Sequence, residues 1–554
     1  MLSHSAEGES IAFGTPAMNL RTTLALAILG AVSSCPGGIS PDISIENFPA
    51  AHRIATDDAA YGASYVTVAS DFSVHYDTYF KVVRTYCGTH TPYSCVPRTY
   101  VLTLCGATAP TTFTNGTALP EDAKHFTIPV TGIGLPGSTP VTFVEMLDLR
   151  DAIELVNPQY VHSPCVQKLE ETEQIDTVDT DWAARAAAHE DVQVVFTDSW
   201  NTAQIDKDVV FDASSNPGAL ARAEWIKFMS VFFNEEEKAN LYFAREKAAF
   251  EATAASTASL SAALYADAAN RKTCAWVQKY QSYNADWSLG AIEYHVSYSV
   301  YKQELCVGAG MTPATDAVDL ALDAPAYKMV FTSLADFHAK LVTYDVIIDE
   351  TYQSAPLDAT KDVVLTSLGI DAADTSGALK AGALLLRVDA HVTDAVTNLT
   401  DANSNALDWY ESAIARPALV LTDLAHRAWP DDIAAPPAGC SRYFRDVLAD
   451  EMPTVNGKDQ CNTWLAAENE QMCLNNPVLV SDAELEGNAT YAPSSPPPPS
   501  HPPSAQNATA VPPPPPSPLP PPSPKSFVFL ADYESSAGRL SVLTALVVSL
   551  LRAL

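Results

Sequence analysis

An α/β protein of two lobes, with mainly parallel sheets joined by a long helical strut, is the fold this sequence predicts. Three observations carry that expectation. Short apolar runs alternate with helix-like stretches on both sides of the chain's middle. The middle, Asn216 to Glu237, reads NPGALARAEWIKFMSVFFNEEE, with Trp225, Phe228, Met229, Phe232 and Phe233 recurring as one wide apolar stripe at helical spacing. An Ala-rich run from Lys238 to about Ser256 then carries a further helix. A capped helix pair of this length between strand-like segments suits a strut between lobes; an ordinary core hairpin is the plainer alternative.

In chain order, the first lobe shows strand-like runs at Tyr100 to Leu104, Phe126 to Val130, Ile153 to Val156 and Val192 to Phe196. Val141 to Leu149 and Asp181 to His189 read as short helices between them. In the strut, Asn216 is placed to cap a helix opening at Pro217, where the missing N–H costs nothing. Asn234 followed by Glu237 reads as a second cap with a carboxylate at its third position. Arg222 and Glu224 are expected to fix the strut to a lobe by charge pairing. In the second lobe, Thr273 to Val277, Val346 to Ile348 and Leu384 to Val388 read as strands, and Leu289 to Leu305 and Leu334 to Lys340 as helices. Near-continuous apolar strands alternating with helices imply sheets covered on both faces. Ile39 to Arg98, rich in Tyr and short runs, matches no simple pattern.

The divisions expected are a signal region over 1–34 with its start at Met18, a first lobe over 35–213, linking helices over 214–265 and a second lobe over 266–450. A Cys-containing extension over 451–490, a Pro/Ser-rich stalk over 491–525 and a GPI-type signal or membrane anchor over 526–554 follow. Met18 to Ser34 has one positive residue and then an apolar run of secretory length, with small residues before Cys35. Val32-Ser33-Ser34-Cys35 also fits a lipid-modified cysteine. The Pro-rich stalk is expected to be disordered, favouring extended polyproline II, and resembles the hydroxyproline-rich stalks of green-algal surface glycoproteins. Leu540 to Leu554 has the length of a GPI-signal tail, although Arg552 interrupts it. Asn115, Asn398, Asn488 and Asn507 each open an N-x-Thr sequon and are the expected glycosylation sites. The 10 cysteines, with no C-x-x-C pair, read as disulfides of open pairing and not as a zinc site. Location is thus expected outside the cell or at its surface, anchored through the C-terminus.

Composition removes other classes. The formal net charge of -34, from 32 Lys and Arg against 66 Asp and Glu, leaves no clustered basic surface for nucleic-acid phosphates. There is no G-x-S-x-G elbow and no H-E-x-x-H pair, so no enzyme is expected. A metal site assembled from distant His, Asp and Glu stays open.

Several stretches share an order and spacing. They are HFTIPVTGIGLPGSTPVTFVEMLDLRDAIELV, ALARAEWIKFMSVFFNEEEKA, YDVIIDETY, and LLLRVDAHV followed by DWYESAIARPALVLTDL. Over Tyr100 to Arg442 the chain resembles the periplasmic-binding-protein family that serves iron-siderophore and cobalamin uptake by ABC transporters, the type with two lobes on a rigid helix. The resemblance implies a small ligand held in a cleft between the lobes: an iron-siderophore or other ferric chelate, a cobalamin-like ring or a metal ion. It implies no required cofactor. The partners expected are that ligand, a membrane transporter or surface reductase, and the cell wall through the stalk, with the chain a monomer.

In open α/β sheets ligands sit beyond the carboxyl ends of the strands. Ser138 and Thr139, between FTIPV and a helix at Pro140, are therefore candidates, with a plain helix cap as their alternative. Gly132, Gly134 and Gly137 have a dinucleotide-like spacing, but Pro136 disrupts the helix that motif requires. Ser199 and Trp200 follow VQVVF, Asp349 and Glu350 follow VII, and Arg387 borders LLLRV. Trp276 and Trp287 open the second lobe. Aromatic rings and a guanidinium suit a bulky chelate or corrin-like ring, though each such residue is more often part of a core or a surface bridge. A wall or adhesion glycoprotein using the same fold as a scaffold is the alternative function, and a collapsed cleft would favour it.

Overall fold

The computed structural model describes residues 66–87, 96–178, 181–198, 205–283, 288–322, 325–393, 406–436, 440 and 442–461. The chain opens with a sheet that sequence patterning did not separate from the first lobe. Strands β1 (Phe72–Tyr76), β2 (Phe80–Thr85) and β3 (Arg98–Leu104) pair antiparallel, and β4 (Lys124–Ile128) joins β3 in parallel. Tyr100 to Leu104 and Phe126 to Ile128 thus belong to this four-stranded sheet and not to the lobe's own. Strand β4 stops before Pro129, which has no N–H for a ladder.

The first lobe's sheet is wholly parallel, in the order β7-β6-β5-β8-β9. Its elements are β5 (Ile133–Leu135), α1 (Thr139–Met146), β6 (Ile153–Val156), α2 (Pro164–Glu171), β7 (Asp176–Thr177), α3 (Trp182–Ala188), β8 (Val194–Thr197) and β9 (Asp208–Val210). The central strand β5 lies inside the glycine-rich stretch between FTIPV and the helix at Pro140. Its glycines serve strand packing: a Cβ on Gly132 would overlap the carbonyl oxygen of Asp191, and one on Gly134 would press on Val195. Gly132→Ala is expected to cost about 1–3 kcal/mol by forcing the two segments apart, measured as a lower urea midpoint with an unchanged slope.

Helices α4 (Ala219–Ala223), α5 (Trp225–Ser230) and α6 (Glu236–Leu264) link the lobes. The first cap differs from expectation. Asn216 closes a 3₁₀ turn, and Gly218 caps α4. The carboxylate of Glu304 reaches over from the second lobe to accept the Ala219 N–H at 2.7 Å, so a long-range partner replaces the local one. The second break falls where expected, but Asn234 turns the chain in the left-handed region at φ 61° and Glu235 caps α6. The Asn234 amide oxygen accepts from buried Lys81 at 2.8 Å.

The apolar stripe is core. Trp225, Phe228, Met229 and Phe232 are fully buried among Phe72, Tyr100, Phe196 and Phe211, with ring centroids 4.8–6.3 Å apart in tilted and edge contacts. Helix α6 has 29 residues, roughly 44 Å at 1.5 Å per residue. Its first half, with Ala239, Tyr242 and Phe243, packs in the first lobe's core, and its second half, with Ala249 and Phe250, packs in the second's. One helix therefore belongs to two cores. At the start of the strut, Arg222 lies 3.6 Å over the Tyr301 ring and donates to the Asn216 carbonyl. Glu224 pairs with Lys227 at 2.8 Å and accepts the backbone N–H groups of Thr67, Val68 and Ala69.

The second lobe holds a larger mixed sheet. Strands β10 (Thr273–Tyr283), β14 (Val346–Asp349) and β15 (Leu384–Arg387) are parallel at its centre, with β12 (Thr312–Pro313) also parallel to β10. Strands β11 (Leu289–Ser297), β13 (Lys328–Phe331) and β17 (Arg445–Asp446) lie toward the margins, each pairing antiparallel with its inner neighbour, in the order β13-β11-β10-β14-β15-β17. Helices α7 (Val300–Gly308), α8 (Ala317–Leu320), α9 (Leu334–Leu341), α10 (Lys361–Ser367), α11 (Ser412–Ala415) and α12 (Pro417–Ala428) complete it. The helix expected over Leu289 to Leu305 is corrected: its first half is β11, held between β10 and β13 by ladders on both edges, and only its second half is helical. A two-stranded parallel sheet pairs β16 (His391–Thr393) with β18 (Thr454–Asn456).

Cysteine pairing, open in the sequence, is resolved at two places. Cys274–Cys306 lies within the second lobe, and Cys165–Cys461 ties α2 of the first lobe to the segment after β18. Cys87, Cys105 and Cys440 are also disulfide-bonded. Among the described residues no helix is long and apolar enough to cross a membrane. The signal, stalk and tail expectations lie outside the described residues.

Candidate functional site

The carboxyl ends of the two sheets meet at one junction. From the first lobe, the turn after β5 brings Ser138 to the start of α1, and the segment after β6 brings His162 and Ser163 to the start of α2. From the second, the chain beyond β15 brings His391, the turn before α11 brings Asp408 and Glu411, and β18 brings Asn456.

Hydrogen bonds join these pieces directly. The N–H groups of His162 and Ser163 donate to the two oxygens of the Glu411 carboxylate at 2.7 and 2.8 Å. Ser163 Oγ donates to Glu145 Oε1 at 2.6 Å while accepting the Val166 N–H as the cap of α2. Ser138 Oγ donates to the Tyr410 carbonyl at 3.3 Å. Asn456 Nδ2 stands 2.8 Å from His391 Nδ1 and 3.3 Å from His162 Nε2, bridging the imidazoles, and His162 Nδ1 lies 3.4 Å from Asp408 Oδ1.

These groups are buried: Glu145, His162, Ser163, Asp408, Glu411, Arg416 and Asn456 are all at most 4 % exposed. Burial pushes the Glu145 carboxyl up to about 7 against the pull of Ser163, Arg150 and Arg416. Burial and the nearby Glu145 hold Glu411 well above the ordinary carboxylate range, although its two N–H donors favour the anion. Burial also acts to raise Asp408, but His162 beside it wins and brings it down to about 2. Burial pushes the His391 imidazole down. The arrangement presents backbone donors, two imidazoles and several carboxyl groups in one dry junction.

Beside it, a cavity of about 20 Å³ is lined by Arg222, Tyr301, Trp409, Ile414 and Pro417, room for about one water. Among the described residues, no group of three or more His, Cys, Asp or Glu side chains is placed to hold a metal ion.

The residues singled out from sequence fall in different places. Ser138 and Thr139 are half-buried at the junction, and Ser138 makes no side-chain cap bond. They lie after β5 and not directly after FTIPV, and α1 opens at Thr139. Trp276 is 1 % exposed in the second core, stacked on Trp409 with centroids 5.5 Å apart. Asp349 and Arg387 are fully buried and joined to each other, with Asp349 also accepting from Thr351 and Arg387 donating to Asp389. Glu350 pairs with buried Lys302. Asn115 is exposed in a turn closed by the Thr117 N–H at 2.9 Å. Ser199, Trp200, Trp287, Asn398, Asn488 and Asn507 lie outside the described residues. Sequence reading missed Glu145, His162, Ser163, His391, Asp408, Glu411 and Asn456. Only Ser163-Pro164 carried a local signal, a cap followed by proline at the first helical position.

No known protein family and no curated protein matches the sequence. Solved structures do. Many of those that the chain resembles are bacterial periplasmic binding proteins for siderophores, heme or metal. A periplasmic heme binding protein from Pseudomonas aeruginosa is 12 % identical, with a TM-score of 0.35, covering 58 % of this chain and 99 % of its own. A petrobactin-binding protein from Bacillus subtilis is 10 % identical, with a TM-score of 0.33, covering 54 % and 90 %. A Helicobacter pylori protein solved with Ni(II) bound is 12 % identical, with a TM-score of 0.32, covering 55 % and 86 %.

Proposed function

We propose that this chain is a secreted or surface-tethered solute-binding protein that captures a small ligand between its lobes for uptake. The observation that carries the reading is the junction itself: the carboxyl ends of two sheets, in lobes on one shared helix, converge there, with Ser138 and Thr139 half-buried beside buried polar side chains. The sequence resemblance supplies the ligand class, a ferric chelate, a cobalamin-like ring or a metal ion. Ser138 and Thr139 are the proposed first-lobe contacts, with Ser199, Trp200 and Trp287 added from sequence. In the second lobe, Trp276, Asp349, Glu350 and Arg387, all buried, are proposed as the wall of the site. The disulfides support an oxidising compartment. Delivery is to a membrane transporter or surface reductase, and the Pro-rich stalk supplies the link to the cell wall.

The test is a thermal-shift titration of the secreted protein, disulfides intact, against ferric hydroxamates, ferric catecholates, ferric citrate, haem, cobalamin and Zn, Mn and Fe ions. A true ligand at about 100 times its Kd adds roughly 2.7 kcal/mol and raises Tm. No shift from any of them, in a folded protein, overturns the reading. One observation favours the scaffold alternative, a wall or adhesion glycoprotein: Glu411 already occupies the His162 and Ser163 N–H groups, and Cys165–Cys461 fastens the junction.

A further inference from the structure

We propose that Glu145 and Glu411 form a pH-controlled latch, closed while the two carboxyl groups hold one proton between them and loosened when both are ionised. The inference concerns the lobe junction itself and stands whether or not a ligand binds there.

The geometry distinguishes the two acids. Glu411 comes from the second lobe and offers one oxygen to each of two first-lobe N–H groups. Two such donors favour the anion. Glu145 is among the groups that hold Glu411 high, so placing the pair's single proton on Glu145 removes that opposition and leaves the charge where the donors are. Glu145, on α1, accepts from Ser163 through Oε1 only, and its buried Oε2 has no hydrogen-bond partner. That oxygen is the place for the proton. Ser163 touches both acids, so α1, the start of α2 and the turn before α11 share one small network.

The surrounding charges are mixed. Arg150 and Arg416 act on Glu145 in favour of its anion, while burial and Asp408 oppose it. Glu411 faces Glu145 and Asp408. Asp408 in turn faces His162 and His391, and Tyr443 lies near Asp408, Arg416 and Glu246. Two anions in this dry space repel strongly. Released into water, Glu145 returns to the ordinary range near 4.5, so the loosened state gives up its proton at lower pH than the closed one. Rising pH therefore favours loosening, and the bias is complete once the closed-state carboxyl has also ionised, above about pH 7. The Cys165–Cys461 bond keeps the opening local.

Hydrogen exchange on the full chain tests this, with rates corrected for the intrinsic effect of pH. Protection of the His162 and Ser163 amides is expected to fall by roughly tenfold or more between pH 6 and 8.5, one pK unit being a factor of ten. Amides of Val346 to Ile348 serve as the unchanged control. In Glu145→Gln the fall disappears. Equal protection of the wild type at both pH values overturns the latch, as does a Glu145→Gln response equal to that of the wild type. Should Glu145→Gln not fold, infrared spectra of the wild type decide: loss of one buried protonated-carboxyl band over this range is expected, and its absence overturns the proposal.

Discussion

Arg387→Ala lowers the protein's stability by about 3–5 kcal/mol, the cost of breaking a buried ion pair from one side. Arg387 is 1 % exposed and sits between two carboxylates that are fully buried. It donates to Asp349 and, at 2.8 Å, to Asp389, and its remaining nitrogen donates to the Thr351 carbonyl at 3.0 Å. Asp389 is shared with Arg445, whose Nε donates to it at 2.6 Å. The network closes β14, β15 and β17 on one another at the carboxyl end of the second sheet. Removing Arg387 strands Asp349 with no cation and leaves Asp389 half matched. Lysine does not rescue it, because one ammonium cannot span two carboxylates and a carbonyl in one plane. Urea unfolding with disulfides intact reads the effect. The same variant separates the two roles open to this residue. As a wall residue it loses stability; as a direct ligand contact it would keep its midpoint and lose the ligand-induced shift.

Glu224→Ala is expected to cost a similar amount, about 3–5 kcal/mol, and to release the opening sheet. Glu224 is fully buried at the joint between α4 and α5. Its carboxylate accepts the Thr67, Val68 and Ala69 N–H groups and the Thr67 hydroxyl at 2.6–2.8 Å, and it balances Lys227. Alanine takes away the carboxylate that pairs with buried Lys227 and orphans several backbone donors together. Burial acts to raise the Glu224 carboxyl, but Lys227 and the N–H donors outweigh it and hold the group below the usual range. Its contribution is therefore complete above the ordinary glutamate value and fades as pH falls through the lower folded-state value. Urea midpoints between pH 6 and 3 should fall more steeply in the wild type than in Glu224→Gln, and the hydrogen-exchange protection of residues 66–87 should collapse in Glu224→Ala.

Both networks show what the sequence could and could not convey. Strands with unbroken apolar runs, such as Val346–Asp349 and Leu384–Arg387, were legible because burial on both faces writes itself as continuous hydrophobicity. The strut was legible because its stripe and its helix breaks are local. Strand β5 was not: three residues among glycines leave no period to read. Strand β11 misled because Leu289, Ile292 and Val296 fall at helical spacing, yet Leu289 and Ile292 lie on the exposed first half of the strand, at 60 % and 39 %. At the candidate site, Ser138 could be picked from its place before a helix. Glu411 could not, since it meets His162 across 249 positions of chain. Arg387 ends β15 and Asp389 follows two residues later, close enough in sequence to pair, but nothing local says that Asp349 and Arg445 complete the network in the interior.

The bond between Cys165 and Cys461 also has a mechanical meaning. It closes a ring of chain 296 residues long, containing β7 to β9 of the first lobe, the strut and nearly all of the second lobe. A pull on the chain beyond Cys461 passes through sulfur to α2 of the first lobe and bypasses that ring. The ring's contour, roughly 1000 Å at about 3.4 Å per residue, is withheld from extension for as long as the sulfurs remain joined. A pull applied beyond residue 461 and resisted on the N-terminal side of Cys165 would therefore load the first lobe through the disulfide and leave the second lobe out of the line of force.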